Sequence, residues 1–139
     1  MNIRLYNRAV EIAKALKPRA QNGKSFHITC AIVKSRIVCV GVNSYTKMHP
    51  YHRFGKYHSH HSEYKDEYRP SLHSEVSMIV KLGEEDLSCY DILNIRVNNN
   101  GNVSNSNFCP NCFRTITNLN PKSLWYSGTN GEMMQREIG

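Results

Sequence analysis

Two neighbouring extended segments constrain this chain more than any other feature. HITCAIVK (27–34) and RIVCVGVNSY (36–45) are separated only by a short junction at Ser35–Arg36. Both are rich in β-branched residues, which suit a pleated, half-buried backbone, so they read as an antiparallel hairpin. A hairpin is marginal in water unless further strands or helices cover it. The flanking sequence offers both. Residues 2–17 carry Leu5, Tyr6, Ala9, Val10, Ala13 and Leu16 on one stripe of a helix, and Pro18 and Gly23 then mark a loop. A second helix fits 73–82, with Val76, Ile79, Val80 and Leu82 as its apolar face. ILNIRV (92–97) reads as a strand and NNNGNVSNSN (98–107) as a turn-rich loop. A third helix starts near Pro110, because proline suits the first helical turn, and SLWYSG (123–128) is a further strand. The order is helix, two strands, helix, strand, helix, strand. That is an α/β or α+β sandwich around one sheet.

Composition narrows the setting. The chain of 139 residues can bury one core and is expected to form a single domain over 1–139. No apolar run approaches the length of a membrane span. The N-terminal MNIRLYNRAVEIAKALK lacks the apolar stretch and small-residue cleavage site of a signal peptide, so a cytoplasmic location is expected. Five cysteines in that compartment pack as small hydrophobes or bind metal rather than form a disulfide framework. Cys30 and Cys39 lie inside apolar strands and read as core. The net charge of +7 favours phosphate-bearing partners, but no block of like charges singles out a nucleic-acid-binding tail.

The chemistry concentrates in two short motifs, His73-Ser74-Glu75 and Cys109-Pro110-Asn111-Cys112. Alone, the cysteine pair could be a redox couple or half of a structural zinc site. Together the motifs are more specific, since each falls where a helix begins. Cys109 and Cys112 are three residues apart, so one helical turn presents both sulfurs to one ion. A helix N-terminus also favours the thiolate form that binds zinc. His73 adds a third ligand and leaves the fourth tetrahedral position for water, as in catalytic zinc sites. Glu75 can face that position without ligating, and serve as general base and then general acid.

LHSEVSMIVKLG and CPNC resemble the two signatures of the cytidine and deoxycytidylate deaminase superfamily, zinc-dependent nucleobase deaminases that include tRNA adenosine deaminases. The resemblance runs from about Phe26 to Tyr126. It implies an α/β three-layer sandwich, with a mixed sheet of about five strands flanked by helices. It also implies a homo-oligomer, a Zn2+ cofactor and hydrolytic deamination of a cytosine-containing nucleotide, dCMP by resemblance. Asn43, in GVN at the end of the second strand, matches the place where the family puts a substrate-binding asparagine. Ser74 stands where alanine is common, and its backbone N–H would help polarise the base. Phe108 replaces the proline that precedes the first cysteine in the family, and would shape the base pocket. The same chemistry on a polynucleotide, such as tRNA or single-stranded DNA, is the first alternative. A non-catalytic zinc module binding RNA or protein is the second, which a positioned Glu75 disfavours.

Two further expectations concern the remaining segments. Residues 46–70 are polar, aromatic and His-rich, without periodicity, and read as an irregular insertion. His49, His52 and Arg53 there are candidates to meet a substrate phosphate. A second zinc site in the same histidine tract is a lesser reading. Asn130-Gly131, between LWYSGT and EMMQREI, is a strong two-residue hairpin signal. It predicts an antiparallel pair near 123–129 and 132–138. The deoxycytidylate and tRNA branches are expected to run these strands parallel through a helix.

Overall fold

A computed structural model gives the fold over residues 1–17, 25–44 and 73–138. Helix α1, Ile3–Leu16, is capped by Asn2, whose side chain accepts from the Leu5 amide. Strands β1, Phe26–Val33, and β2, Arg36–Val42, pair antiparallel. The turn between them is Lys34–Ser35, one residue earlier than the sequence reading, and both residues take positive φ (51° and 62°). Two consecutive left-handed residues match the twist of the strands they join. Helix α2, Ser74–Leu82, leads to β3, Asp91–Val97. A two-residue strand, β4 at Val103–Ser104, pairs with β3 inside the segment read as a loop. Helix α3, Pro110–Thr117, is followed by β5, Ser123–Ser127, and β6, Met133–Arg136.

The strand order is β2-β1-β3-β5-β6, with β4 on β3. Only β3 and β5 run parallel, so the sheet is mixed. The β5–β6 pair is the expected antiparallel hairpin. Gly131 supplies the positive φ (81°) its turn requires, and the Gly128 amide closes it on the Glu132 carbonyl at 2.7 Å. The Tyr6 hydroxyl donates to the Gly131 carbonyl at 2.7 Å, tying α1 to this turn.

Strand alternation divides the core in two. On one face Phe26, Ile28, Cys30 and Ile32 of β1 meet Leu93, Ile95 and Val97 of β3 under Tyr6, Ala9 and Ala13 of α1. On the other, Ala31 and Ile92 pack with Val76, Met78 and Ile79 of α2, Ile116 of α3 and Leu124. The layers are therefore helix, sheet, helices. Val80, expected on the apolar face of α2, is 43% exposed, and Met78 is buried in its stead. Gly41 explains the exchange: a Cβ there would lie 2.3 Å from the Met78 amide nitrogen and 2.4 Å from the Ser74 carbonyl oxygen. The helix thus rests directly on the β2 backbone, and the side of α2 bearing Ser74 and Met78 is the side turned inward. Among the described residues, no helix is long and apolar enough to cross a membrane.

Candidate metal centre and proton-transfer site

The two motifs converge because each sits at a helix start on the same side of the sheet. His73 is the N-cap residue of α2, with extended backbone (ψ 146°), and Cys109 is the N-cap residue of α3, with Pro110 behind it. The Cys109 sulfur accepts from the Cys112 amide at 3.3 Å, as an N-cap side chain should. His73 Nδ1 lies 3.2 Å from Cys112 Sγ and 3.7 Å from Cys109 Sγ. The three donor atoms all fall within 4.8 Å of one another. Zinc–nitrogen and zinc–sulfur bonds of about 2.0 and 2.3 Å imply tetrahedral edges of roughly 3.5–3.8 Å, so this donor set fits zinc.

Electrostatics support the same fit. The Cys109 thiol is pulled down to about 5, chiefly by the hydrogen bond from Cys112 and then by that with His73. Cys112 is pushed up, because it donates to Cys109 and is buried. One proton is shared between two sulfurs, and a divalent cation in its place would satisfy both. The hydrogen bond to Cys109 raises His73.

Glu75, 7% exposed, lies in the first turn of α2. Its Oε1 accepts from the Ser74 hydroxyl and its Oε2 from Asn94 Nδ2, both at 3.2 Å. Asn94 Oδ1 accepts from the Thr29 hydroxyl at 2.6 Å, and Thr29 Oγ1 lies 2.8 Å from Ser74 Oγ. Ser74, Glu75, Thr29 and Asn94 therefore form a closed, buried ring. Beyond it on β1 stands His27, whose imidazole burial holds down to about 4 despite the neighbouring Glu75.

The structure brings together His73, Ser74, Glu75, Cys109 and Cys112. Phe108 is buried in the apolar cluster with Ile92, Ile116 and Leu124. Asn43 turns to β1: its Oδ1 accepts from the His27 amide at 2.9 Å, and its Nδ2 donates to the Ser25 carbonyl at 3.4 Å. His49, His52 and Arg53 lie outside the described residues. Sequence reading overlooked Thr29, Asn94 and His27. The signal was present: HIT and LNIRV set polar side chains at alternate positions of otherwise apolar strands, all on the face toward α2.

A fold with helix-borne His-x-Glu and Cys-x-x-Cys over a mixed sheet defines a zinc-type deaminase scaffold. The chain belongs to the cytidine and deoxycytidylate deaminase family: it matches that family's zinc-binding region over residues 4–127. Among solved structures it is similar to a dCMP deaminase from the cyanophage S-TIM5, in complex with dCMP and dUMP. There the identity is 15%, the TM-score 0.58, and the match covers 92% of this chain and 84% of that one. The apo form of the same phage protein matches at 15% identity and TM-score 0.55, over 92% and 86% of the two chains. A cytidine deaminase from Mycobacterium leprae matches at 16% identity and TM-score 0.51, over 91% and 88%. No curated protein matches by sequence at a significant level.

Proposed function

We propose that this chain is a zinc-dependent hydrolase that converts a cytosine-containing nucleotide, dCMP, to dUMP with release of ammonia. The observation that carries this reading is Glu75, a buried carboxylate two residues from a histidine whose ring faces two cysteine sulfurs. A structural zinc site has no use for that carboxylate. The nucleotide part of the reading draws on the phage structure, which was solved with dCMP and dUMP.

His73 Nδ1 and the sulfurs of Cys109 and Cys112 would hold the zinc, which when bound would supply the Lewis acidity that makes water nucleophilic near neutral pH. Glu75 takes a proton from the attacking water and returns it to the pyrimidine ring, acting as base and then as acid. The second proton of the water passes to the amino group as the C4–N bond breaks, so the oxygen ends on C4 as the carbonyl and the nitrogen leaves as ammonia. Ser74 and Asn43 meet the substrate in this reading, while Phe108 shapes the base pocket from within the apolar cluster. His49, His52 and Arg53 meet the phosphate, through charge-assisted contacts worth about 1.5–3 kcal/mol each.

Ammonia release from dCMP, CMP, deoxycytidine, cytidine, single-stranded DNA and tRNA tests it. The expected result is dCMP as the best substrate. Arg53→Ala should weaken use of dCMP far more than use of deoxycytidine. Strongly salt-dependent activity on nucleic acid alone would favour the polynucleotide alternative, and release from none would end the deaminase reading. Protein purified without added zinc should contain about one equivalent, lost in Cys112→Ala. Full zinc retention in both Cys109→Ala and Cys112→Ala would overturn the metal assignment.

A further inference from the structure

We propose that Asn94, held by Thr29, is a positioning residue that fixes the direction of the Glu75 carboxylate. The inference rests on the deaminase reading and adds a part to it. A carboxamide has two unlike ends, and here each has a distinct partner. Oδ1 accepts from the Thr29 hydroxyl at 2.6 Å, while Nδ2 donates to Glu75 Oε2 at 3.2 Å and to the Ser106 carbonyl at 3.4 Å. A carboxylate is an acceptor only, so the amino end must face it. The Ser106 carbonyl makes the same demand of the amino end, and the Thr29 hydroxyl then anchors the oxygen end by donating to it. With the amide reversed, oxygen would stand against oxygen in a buried site.

The anchor is also a stiff one. Thr29 and Asn94 are directly opposite in the β1–β3 register, at the middle of the sheet, and both are buried. Glu75, by contrast, is a long side chain in the first turn of α2 with three rotatable bonds. The Ser74 hydroxyl holds its other oxygen, but Ser74 shares the helix and moves with it. Asn94 donates to the carboxylate directly from the sheet, while the Ser74 path reaches the sheet only through a second hydroxyl, that of Thr29. Asn94 also steadies the cysteine arm, since its main-chain carbonyl accepts from Ser106 Oγ at 2.7 Å, three residues before Cys109. Glu75 and the cysteines are thus registered to one strand. Proton transfer falls steeply when the acting group is misplaced by fractions of an ångström, so this registration bears on turnover rather than on substrate affinity.

The test uses zinc-loaded Thr29→Val, which keeps the branched shape and removes only the hydroxyl, and Thr29→Ser, which keeps the hydroxyl. For Thr29→Val the expected result is a kcat on dCMP lower by roughly tenfold or more, with KM within about twofold and zinc content unchanged. Thr29→Ser should return kcat to within about threefold of the parent. Crystal structures of the parent and Thr29→Val supply a readout independent of activity: the Glu75 carboxylate should leave Asn94 Nδ2 in the variant. A purely structural role predicts lower stability with kcat unchanged and Glu75 unmoved, and that result overturns the proposal. If the parent deaminates none of the nucleotides, the deaminase reading fails, and the position of Glu75 in the two crystal structures still decides this one. Should Thr29→Val not fold, the isosteric Asn94→Asp is read in the same two ways.

Discussion

The two faces of β1 and β3 are built from alternate residues of the same fifteen positions, yet they do different work. Toward α1 stand Phe26, Ile28, Cys30, Ile32, Leu93, Ile95 and Val97, all buried and nearly all aliphatic. Toward α2 and α3 stand His27, Thr29 and Asn94, with Ala31 and Ile92 as the apolar remainder. The first face gains stability from area removed from water. The second gives up part of that gain, because each polar group buried there must find a partner. Thr29, Ser74, Glu75 and Asn94 find theirs in the ring, and Ser106 and Ser127 find theirs beside it, whereas Arg96 Nε and Ser104 Oγ are buried without one among the described residues. The comparison separates what holds the sheet together from what acts upon it.

Substitutions on the two faces should therefore fail differently. The largest effect is expected for Glu75→Ala on the polar face: turnover lower by at least ~10²-fold, with zinc and fold retained. An unchanged rate would remove Glu75 from the mechanism and blur the division. Next comes Leu93→Ala on the aliphatic face, which should cost about 2–5 kcal/mol in denaturant unfolding while the folded fraction keeps its kcat. A large kcat loss there, at full zinc occupancy, would show that the faces are not separable.

The smallest effect is expected from acid. Burial holds His27 near about 4, against 6.5 for an ordinary histidine, so the folded chain refuses a proton that the unfolded chain accepts. The stability present above pH 6.5 is accordingly lost as pH falls toward 4, by roughly 3 kcal/mol at most. His27→Gln, compared with the parent at pH 7 and pH 5 by urea unfolding, should flatten the curve. Parallel curves would place His27 outside the polar face's energetics.

How much of this was legible in the sequence differs by element. The β1–β2 hairpin, the three helices, β3, β5 and the Asn130-Gly131 turn were all carried by local signals: branched residues, helical stripes, proline and glycine. The Cys109–Cys112 half of the donor cluster was legible from its spacing, whereas His73, 36 positions away, was joined to it through the resemblance to the deaminase signatures. The two-residue β4 was not, since Val103–Ser104 is too short to show any period, and it exists only because β3 lies beside it. Thr29 and Asn94 were missed for another reason. They are 65 residues apart, and only the β1–β3 pairing makes them neighbours. The exposure of Val80 was a tertiary override: a helical stripe does not reveal that Gly41 draws Ser74 and Met78 inward.

That seat at Gly41 has a mechanical consequence. Where side chains separate a helix from a sheet, they can change rotamer and let the helix slide to a second position. At Gly41 main chain meets main chain, and no side chain stands there to rearrange. Strand and helix consequently travel as one piece, carrying His73 and Glu75 with them.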